Sequence, residues 1–226
     1  MSVLVIAAHP DDVVLGCGGT IAGLAREGTS VQAVVLGKGS TSRCVDPDMV
    51  NPAVIQDLRE WSQASAQILG IKGITHYDYP DNRFDSVNVL EIVRTIEEAV
   101  RRLKPSIIFT HHGGDLNIDH ALVFRATLIA LRPMAGKGVH ALYAYEVPSS
   151  TEWAFQQFSP AFKPNTFYDI VRTLDQKIAA METFTTERRE FPHPRSPKAL
   201  KSIAFRWGST VGLQAAEAFE LVWELK

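Results

Sequence analysis

Short apolar runs recur along the first two thirds of the chain, at residues 3–8, 31–36, 74–79, 106–109 and 140–145, each closed by polar or turn-forming residues. Runs of this length, rich in β-branched residues and bounded by turn signals, fit strands buried on both faces. The segments between them carry apolar residues at three-four spacing. Leu58, Trp61, Ala64 and Ile68 mark one helix, Val89, Val93, Ile96, Val100 and Leu103 a second, and Leu122, Val123, Ala126 and Leu128 a third, over 119–132. Alternating strands and full-length helices predict an α/β fold, Rossmann-like, with a mainly parallel sheet and helices on both faces.

Punctuation refines the boundaries. Gly16, Gly18 and Gly19 are read as a tight turn before a helix at 20–25. Asn51 and Pro52 open the helix that ends at Gly70, Ser86 is the expected cap of the next, and Pro105 stops it. Pro133 and Gly136 close the helix at 119–132. Further on, 167–171 reads as an edge strand, Thr173 caps a helix to about residue 187, Ser196-Pro197 begins a last helix to about 207, and 215–225 packs as a strand or tail. The polar stretch 37–51 reads either as a lid or as a plain surface loop.

Composition narrows the function classes. The 226 residues are 46% hydrophobic and 21% charged, with a net charge of -2, which suits one α/β domain over 1–226. No basic footprint for nucleic acid and no membrane-length apolar stretch is present. Cys17 and Cys44 give no disulfide framework and are read as reduced thiols. The N-terminus has no basic region before its apolar run, so the expected location is cytoplasmic.

The candidate chemistry lies at the ends of the first and fourth strands. His9, Pro10, Asp11 and Asp12 follow the first run directly, the place where an open α/β sheet puts its active groups. His9 and Asp12 stand three apart and can both face one ion; imidazole and carboxylate suit zinc or a similar divalent transition metal. Asp11, between them, is left free to act as a general base. A third ligand is then needed, and Asp115, Asn117, Asp119 and His120 follow the fourth strand. His120 is the choice, since acidic residues surround it and a helix fixes it; helix capping by Asp and Asn is the bland alternative. His111 and His112 close the same strand, and one of them is a candidate to support the ligands.

The segments His9-Pro10-Asp11-Asp12, Gly16-Cys17-Gly18-Gly19 and Asp115-x-Asn117-x-Asp119-His120 resemble the PIG-L/LmbE deacetylase family. So do Arg59-Glu60, Pro80-Asp81-Asn82-Arg83, the stretch 145–153 and Phe191-Pro192-His193-Pro194-Arg195-Ser196, so the resemblance covers nearly the whole chain. It implies a zinc-dependent hydrolase that removes an acetyl group from the amide nitrogen of an amino sugar or sugar conjugate. It further implies sugar contacts at Arg59, with Asp81 and Arg83 as candidates, and a histidine near the C-terminus, matched by His193, that polarises the acyl oxygen. Asn117 stands where some members carry a catalytic histidine, so an amide donor or His193 takes that role. Trimers or hexamers are common in the family. One departure is Val13, where the family usually has a glutamate.

Other readings remain open at the level of sequence. They are hydrolysis of another small amide, of the thiol-sugar conjugate type, and a non-catalytic metal or carbohydrate module. A dinucleotide-binding Rossmann protein is also considered. Ile21 occupies the place of its third glycine, and Asp11 and Asp12 would repel a pyrophosphate.

Overall fold

The structure, a computed structural model, describes residues 1–39, 52–132 and 138–226. Most of the 37–51 stretch, with Cys44, and the helix stop at Pro133 and Gly136 lie outside the described residues.

The order of elements is β1 (Ser2–Ala7), α1 (Asp12–Arg26), β2 (Ser30–Gly37), α2 (Pro52–Leu69), β3 (Gly73–Tyr79), α3 (Val89–Leu103), β4 (Ile107–His111), α4 (Ile118–Ala130), β5 (Ala141–Tyr145), β6 (Thr166–Asp169), α5 (Leu174–Glu182), α6 (Pro197–Thr210) and β7 (Ala216–Glu224). They build one seven-stranded sheet in the order β3-β2-β1-β4-β5-β7-β6. The first five strands are parallel, and β7 and β6 complete the sheet antiparallel. The expected α/β architecture is therefore present, and the C-terminal segment is a strand set between β5 and β6.

Alternation along β1 explains why the sheet is covered twice. Val3, Val5 and Ala7 point into an apolar layer with α1, α2, α5 and α6, while Leu4, Ile6 and Ala8 point into a second layer with α3 and α4. The chain steps outward from β1 to β3 and then returns to β4 beside β1. The carboxyl ends of β1 and β4 thus flank the switch in strand order, the crevice where open sheets bind ligands.

Three local expectations change. α1 begins at Asp12, so the glycine-rich stretch lies inside the helix, with only Cys17 (φ -146°) departing from helical geometry. The glycines serve close packing instead. A Cβ at Gly16 would run into the ring of Tyr145, and one at Gly19 would lie 2.9 Å from Ile170. The departure at Cys17 breaks helix bonds, and a buried ion pair replaces them. Glu217 accepts from the amides of Gly19 (2.9 Å) and Thr20 (2.7 Å), while Lys177 Nζ donates to the carbonyl of Leu15 (2.8 Å). Second, α3 is capped by Asn88, whose side chain accepts from Leu90 N; Ser86 closes a 3₁₀ turn just before it. Third, α5 stops at Glu182, and the chain then turns so that Glu187 is buried.

Candidate metal centre and pocket

The β1–α1 junction brings His9, Asp11 and Asp12 to the switch point, and the start of α4 brings Asp119 and His120. Asp12 is the hub. Its Oδ2 accepts from the backbone amide of His9 (2.7 Å) and lies 3.3 Å from His9 Nδ1 and 3.4 Å from His120 Nε2. His120 Nε2 and His9 Nδ1 are 3.3 Å apart. All three residues are buried, and their ligand atoms lie within the 4.8 Å reach of one ion. Asp12 Oδ1 is buried with no hydrogen-bond partner among the described residues. Such an orphaned oxygen is costly unless something is bound to it, so the donor set fits a divalent cation with mixed nitrogen and oxygen ligation.

Each imidazole is held from behind. His120 Nδ1 is 3.1 Å from Asp115 Oδ1, and Asp115 in turn accepts from the hydroxyls of Ser150 and of Thr151 (2.6 Å). His9 Nε2 lies 3.0 Å from Asp81 Oδ1 and 3.1 Å from Asp119 Oδ2. Asp119 also accepts from the amides of Asn82 (2.6 Å) and Phe84 (3.0 Å), so it ties α4 to the turn after β3. Carboxylates behind ligand histidines fix the ring and its tautomer. Val13, where the family's glutamate is absent, is only 2% exposed in the apolar layer. The carboxylates behind His9 and His120 are those of Asp81, Asp119 and Asp115.

His111 belongs to this group as well. Its Nε2 accepts from the amide of Ala8 (2.8 Å), and its ring stacks on His120 with centroids 4.0 Å apart. His112 points elsewhere, toward Glu220 at 3.2 Å.

Protonation follows from these contacts. Burial lowers the affinity of His120 for a proton, yet the charges of Asp12 and Asp115 outweigh it and raise the pKa to about 9. Burial would raise the pKa of Asp115, but His120 and the hydroxyls bring it down to about 2. Burial also works to raise Asp12, and the neighbouring His120 and His111 hold it well below the usual carboxylate range. Asp11 differs. Burial lifts it to about 6, Arg195 opposes that rise, and Asp12 and Glu187 reinforce it.

Asp11 is outside the ligand cluster and faces a pocket of about 70 Å³ that His9, Asp81, Asn82, Asn117, Glu187 and Arg195 also line. Arg195 Nη1 donates to Asp11 (2.7 Å) and Glu187 (3.0 Å), and its Nε donates to Ser149 Oγ (2.8 Å). Sequence reading gave roles to neither Arg195 nor Glu187. The rigid proline-flanked turn that carries Arg195 was a usable signal; nothing in the sequence marked Glu187.

The remaining candidates fall in different places. Asn117 lines the pocket, but its side chain is engaged: Oδ1 accepts from Asp119 N (2.9 Å) as the cap of α4, and Nδ2 donates to Asn82 Oδ1 (2.8 Å). His193 is partly exposed, packs edge-on against Trp153 with centroids 5.5 Å apart, and is absent from the pocket lining. Its Nδ1 accepts from Arg195 N (3.2 Å). Desolvation, Arg195 and Arg189 lower its pKa, which favours neutral imidazole. Arg59 pairs with Asp78 (2.7 Å) and lines a separate open groove with Gln63 and His76, while its neighbour Leu58 reaches the pocket. Arg83 is exposed on the turn after β3.

Comparison with known proteins finds a matching family, relatives in sequence and solved structures of the same fold. The family described as PIG-L, GlcNAc-PI de-N-acetylase, matches residues 4–131. An Escherichia coli K12 protein named uncharacterized deacetylase YaiS is 29% identical over 186 residues, 80% of this chain and 88% of that protein. The 4-oxalmesaconate hydratase of Pseudomonas putida is 30% identical over 199 residues, 80% of this chain and 72% of the hydratase. The solved structure of N,N'-diacetylchitobiose deacetylase from Pyrococcus horikoshii superposes with a TM-score of 0.77 at 21% identity, covering 98% of this chain and 83% of that one. Among the described residues no helix is long and apolar enough to cross a membrane.

Proposed function

Because this chain belongs to the PIG-L family, we propose that it is a zinc-dependent N-deacetylase, hydrolysing the acetamide of an N-acetylated amino sugar or sugar conjugate. The observation that carries this reading is the division of labour between two adjacent residues. Asp12 sits among the histidines with one oxygen orphaned, while Asp11 faces the pocket outside that set, paired with Arg195.

His9, Asp12 and His120 would hold the ion, which when bound supplies Lewis acidity toward the acyl oxygen and toward water. Asp11 accepts the proton of the attacking water and delivers it to the leaving amine. Arg195 keeps Asp11 ionised and aimed, and Ser149 and Glu187 keep Arg195 in place. Asn117 supports the start of α4 and presents little free donor capacity to substrate. The products are acetate and an amine.

The kinship with a hydratase offers a second reading, water addition to an unsaturated acid. The pocket charge favours the first. Asp11, Asp81 and Glu187 line it, and Arg195, the one arginine among its described lining residues, already serves two carboxylates. A substrate bearing several carboxylates would meet like charge, whereas a neutral acetamido sugar would not. The test is acetate release from N-acetylglucosamine, N,N'-diacetylchitobiose and nucleotide-linked N-acetyl sugars, with protein stripped of metal and reloaded with zinc. Zinc-dependent acetate release is expected. Turnover of 4-oxalmesaconate with no acetate from any acetamide would replace the deacetylase reading with the hydratase one.

A further inference from the structure

We infer that Asp81 is a positioning residue for His9, its carboxylate standing with Asp119 against His9 Nε2, so that the turn lining the pocket also sets the ring that faces the ion. The inference rests on the reading of His9, Asp12 and His120 as the ion's ligands.

A neutral imidazole carries one proton and one lone pair for its two nitrogens. His9 Nδ1 faces Asp12 Oδ2 at 3.3 Å and His120 Nε2 at 3.3 Å, the side on which the ion would lie. The lone pair must then be on Nδ1, and the proton on Nε2. Asp119 Oδ2 accepts that proton at 3.1 Å, and Asp81 Oδ1 stands 3.0 Å from the same nitrogen as a second charged neighbour. Ionised carboxylates only accept, so Asp119 takes the N–H while Asp81 holds the same side of the ring by its charge.

The two partners are not equivalent. Asp119 is fixed within α4 and by the amides of Asn82 and Phe84. Asp81 comes from the turn after β3, held to α4 through Asn82 Oδ1, which accepts from Asn117 Nδ2. Asp81 also lines the pocket. A residue expected from sequence only to touch sugar thereby gains a hold on the ring itself. His9, Asp81 and Asp119 could on distance alone gather a second cation, since their ligand atoms also lie within 4.8 Å of one another. That ion would need the lone pair of Nε2, which the first ion's claim on Nδ1 leaves protonated. One ion per chain follows.

The experiment measures zinc and cobalt(II) affinity and stoichiometry by chelator competition, together with the visible cobalt(II) spectrum, for wild type, Asp81→Ala and Asp81→Asn. Wild type is expected to bind one equivalent. Asp81→Ala should weaken binding roughly 10- to 100-fold, the usual loss when a partner behind a metal ligand is removed, and should shift the cobalt bands. Asp81→Asn keeps a neutral acceptor and should fall between. An Asp81→Ala protein with wild-type affinity and spectrum, altered only in KM, would make Asp81 a substrate contact alone and overturn the inference. Two equivalents bound by wild type would overturn it in favour of a second cation site. Should Asp81→Ala not fold, unchanged affinity and spectrum in Asp81→Asn would decide against it. A wild type that binds no divalent ion removes the ligand reading itself, an outcome distinct from all of these.

Discussion

His9, Asp12 and His120 stand at the ends of regular elements, whereas Glu187 and Arg195 come from the irregular stretch between α5 and α6. The first wall, where His9 lines the pocket with Asp12 and His120 behind it, is tied from several directions: Asp12 by the His9 amide, His120 by Asp115, and His9 by Asp81 and Asp119. The second wall depends on one guanidinium that holds Asp11, Glu187 and Ser149 together. The difference shows in two adjacent carboxyls. The neighbouring histidines hold Asp12 well below the usual carboxylate range, whereas burial lifts Asp11 to about 6 against the pull of Arg195, which makes it the stronger base of the two.

The sharpest way to break this contrast is to remove one member from each wall. Asp12→Ala should abolish stoichiometric metal binding and reduce acetate release to background, since it takes away the hub of the cluster. Asp11→Asn should retain the metal and lose roughly 10²- to 10⁴-fold in turnover, the range for a positioned acid-base group. Metal content by elemental analysis, measured beside kcat, checks both. Loss of metal in Asp11→Asn would move Asp11 into the ligand set and erase the distinction between the walls.

The second wall is probed more finely by pH. Asp11 must be ionised to accept a proton, so activity falls as pH drops through its pKa. A bound cation beside Asp11 moves that fall to lower pH, yet the direction of the Arg195 effect is the same. Arg195→Met removes the charge that opposes the rise in the Asp11 pKa. The acid limb of kcat/KM should therefore move to higher pH, with a loss several-fold greater at pH 6 than at pH 8. Arg195→Lys keeps the charge without the fork and should leave the limb closer to wild type. A uniform loss at all pH values in Arg195→Met would mean that Arg195 only shapes the pocket.

The same contrast explains what the sequence could reveal. The parallel core and the meeting of His9, Asp12 and His120 were legible because regular elements announce themselves by period and chemistry clusters at strand ends. His9 and Asp12 follow β1, and Asp119 and His120 begin α4. The glycine stretch misled because the same residues serve a turn or a close helix crossing. The packing of Tyr145 on Gly16 and of Ile170 on Gly19 decides between them. Ser86 and Asn88 were both plausible caps two residues apart, and tertiary context chose Asn88. The proline-flanked turn marked the place of Arg195 but not its role, and nothing marked Glu187, because their meaning lies in the meeting of Arg195 with Asp11, more than 170 positions away in the chain.

The smallest effect is expected at Arg59, the residue for which family likeness and geometry diverge most. Likeness implies a sugar contact. Geometry pairs its guanidinium with Asp78 at 2.7 Å, both side chains well exposed, in a groove separate from the pocket that Leu58 reaches. An exposed ion pair contributes about 0–1 kcal/mol to stability. Arg59→Ala should therefore leave the thermal midpoint nearly unchanged, and KM for a small N-acetyl sugar should stay within about twofold, since the guanidinium's one described partner is Asp78. A longer substrate reaching across Leu58 into that groove would behave differently. KM should then rise on Arg59→Ala for the disaccharide or nucleotide sugar while the monosaccharide is unaffected. Comparing the two substrate lengths thus turns the weakest of the implied contacts into a ruler for how far beyond Asp11 and Arg195 the substrate extends.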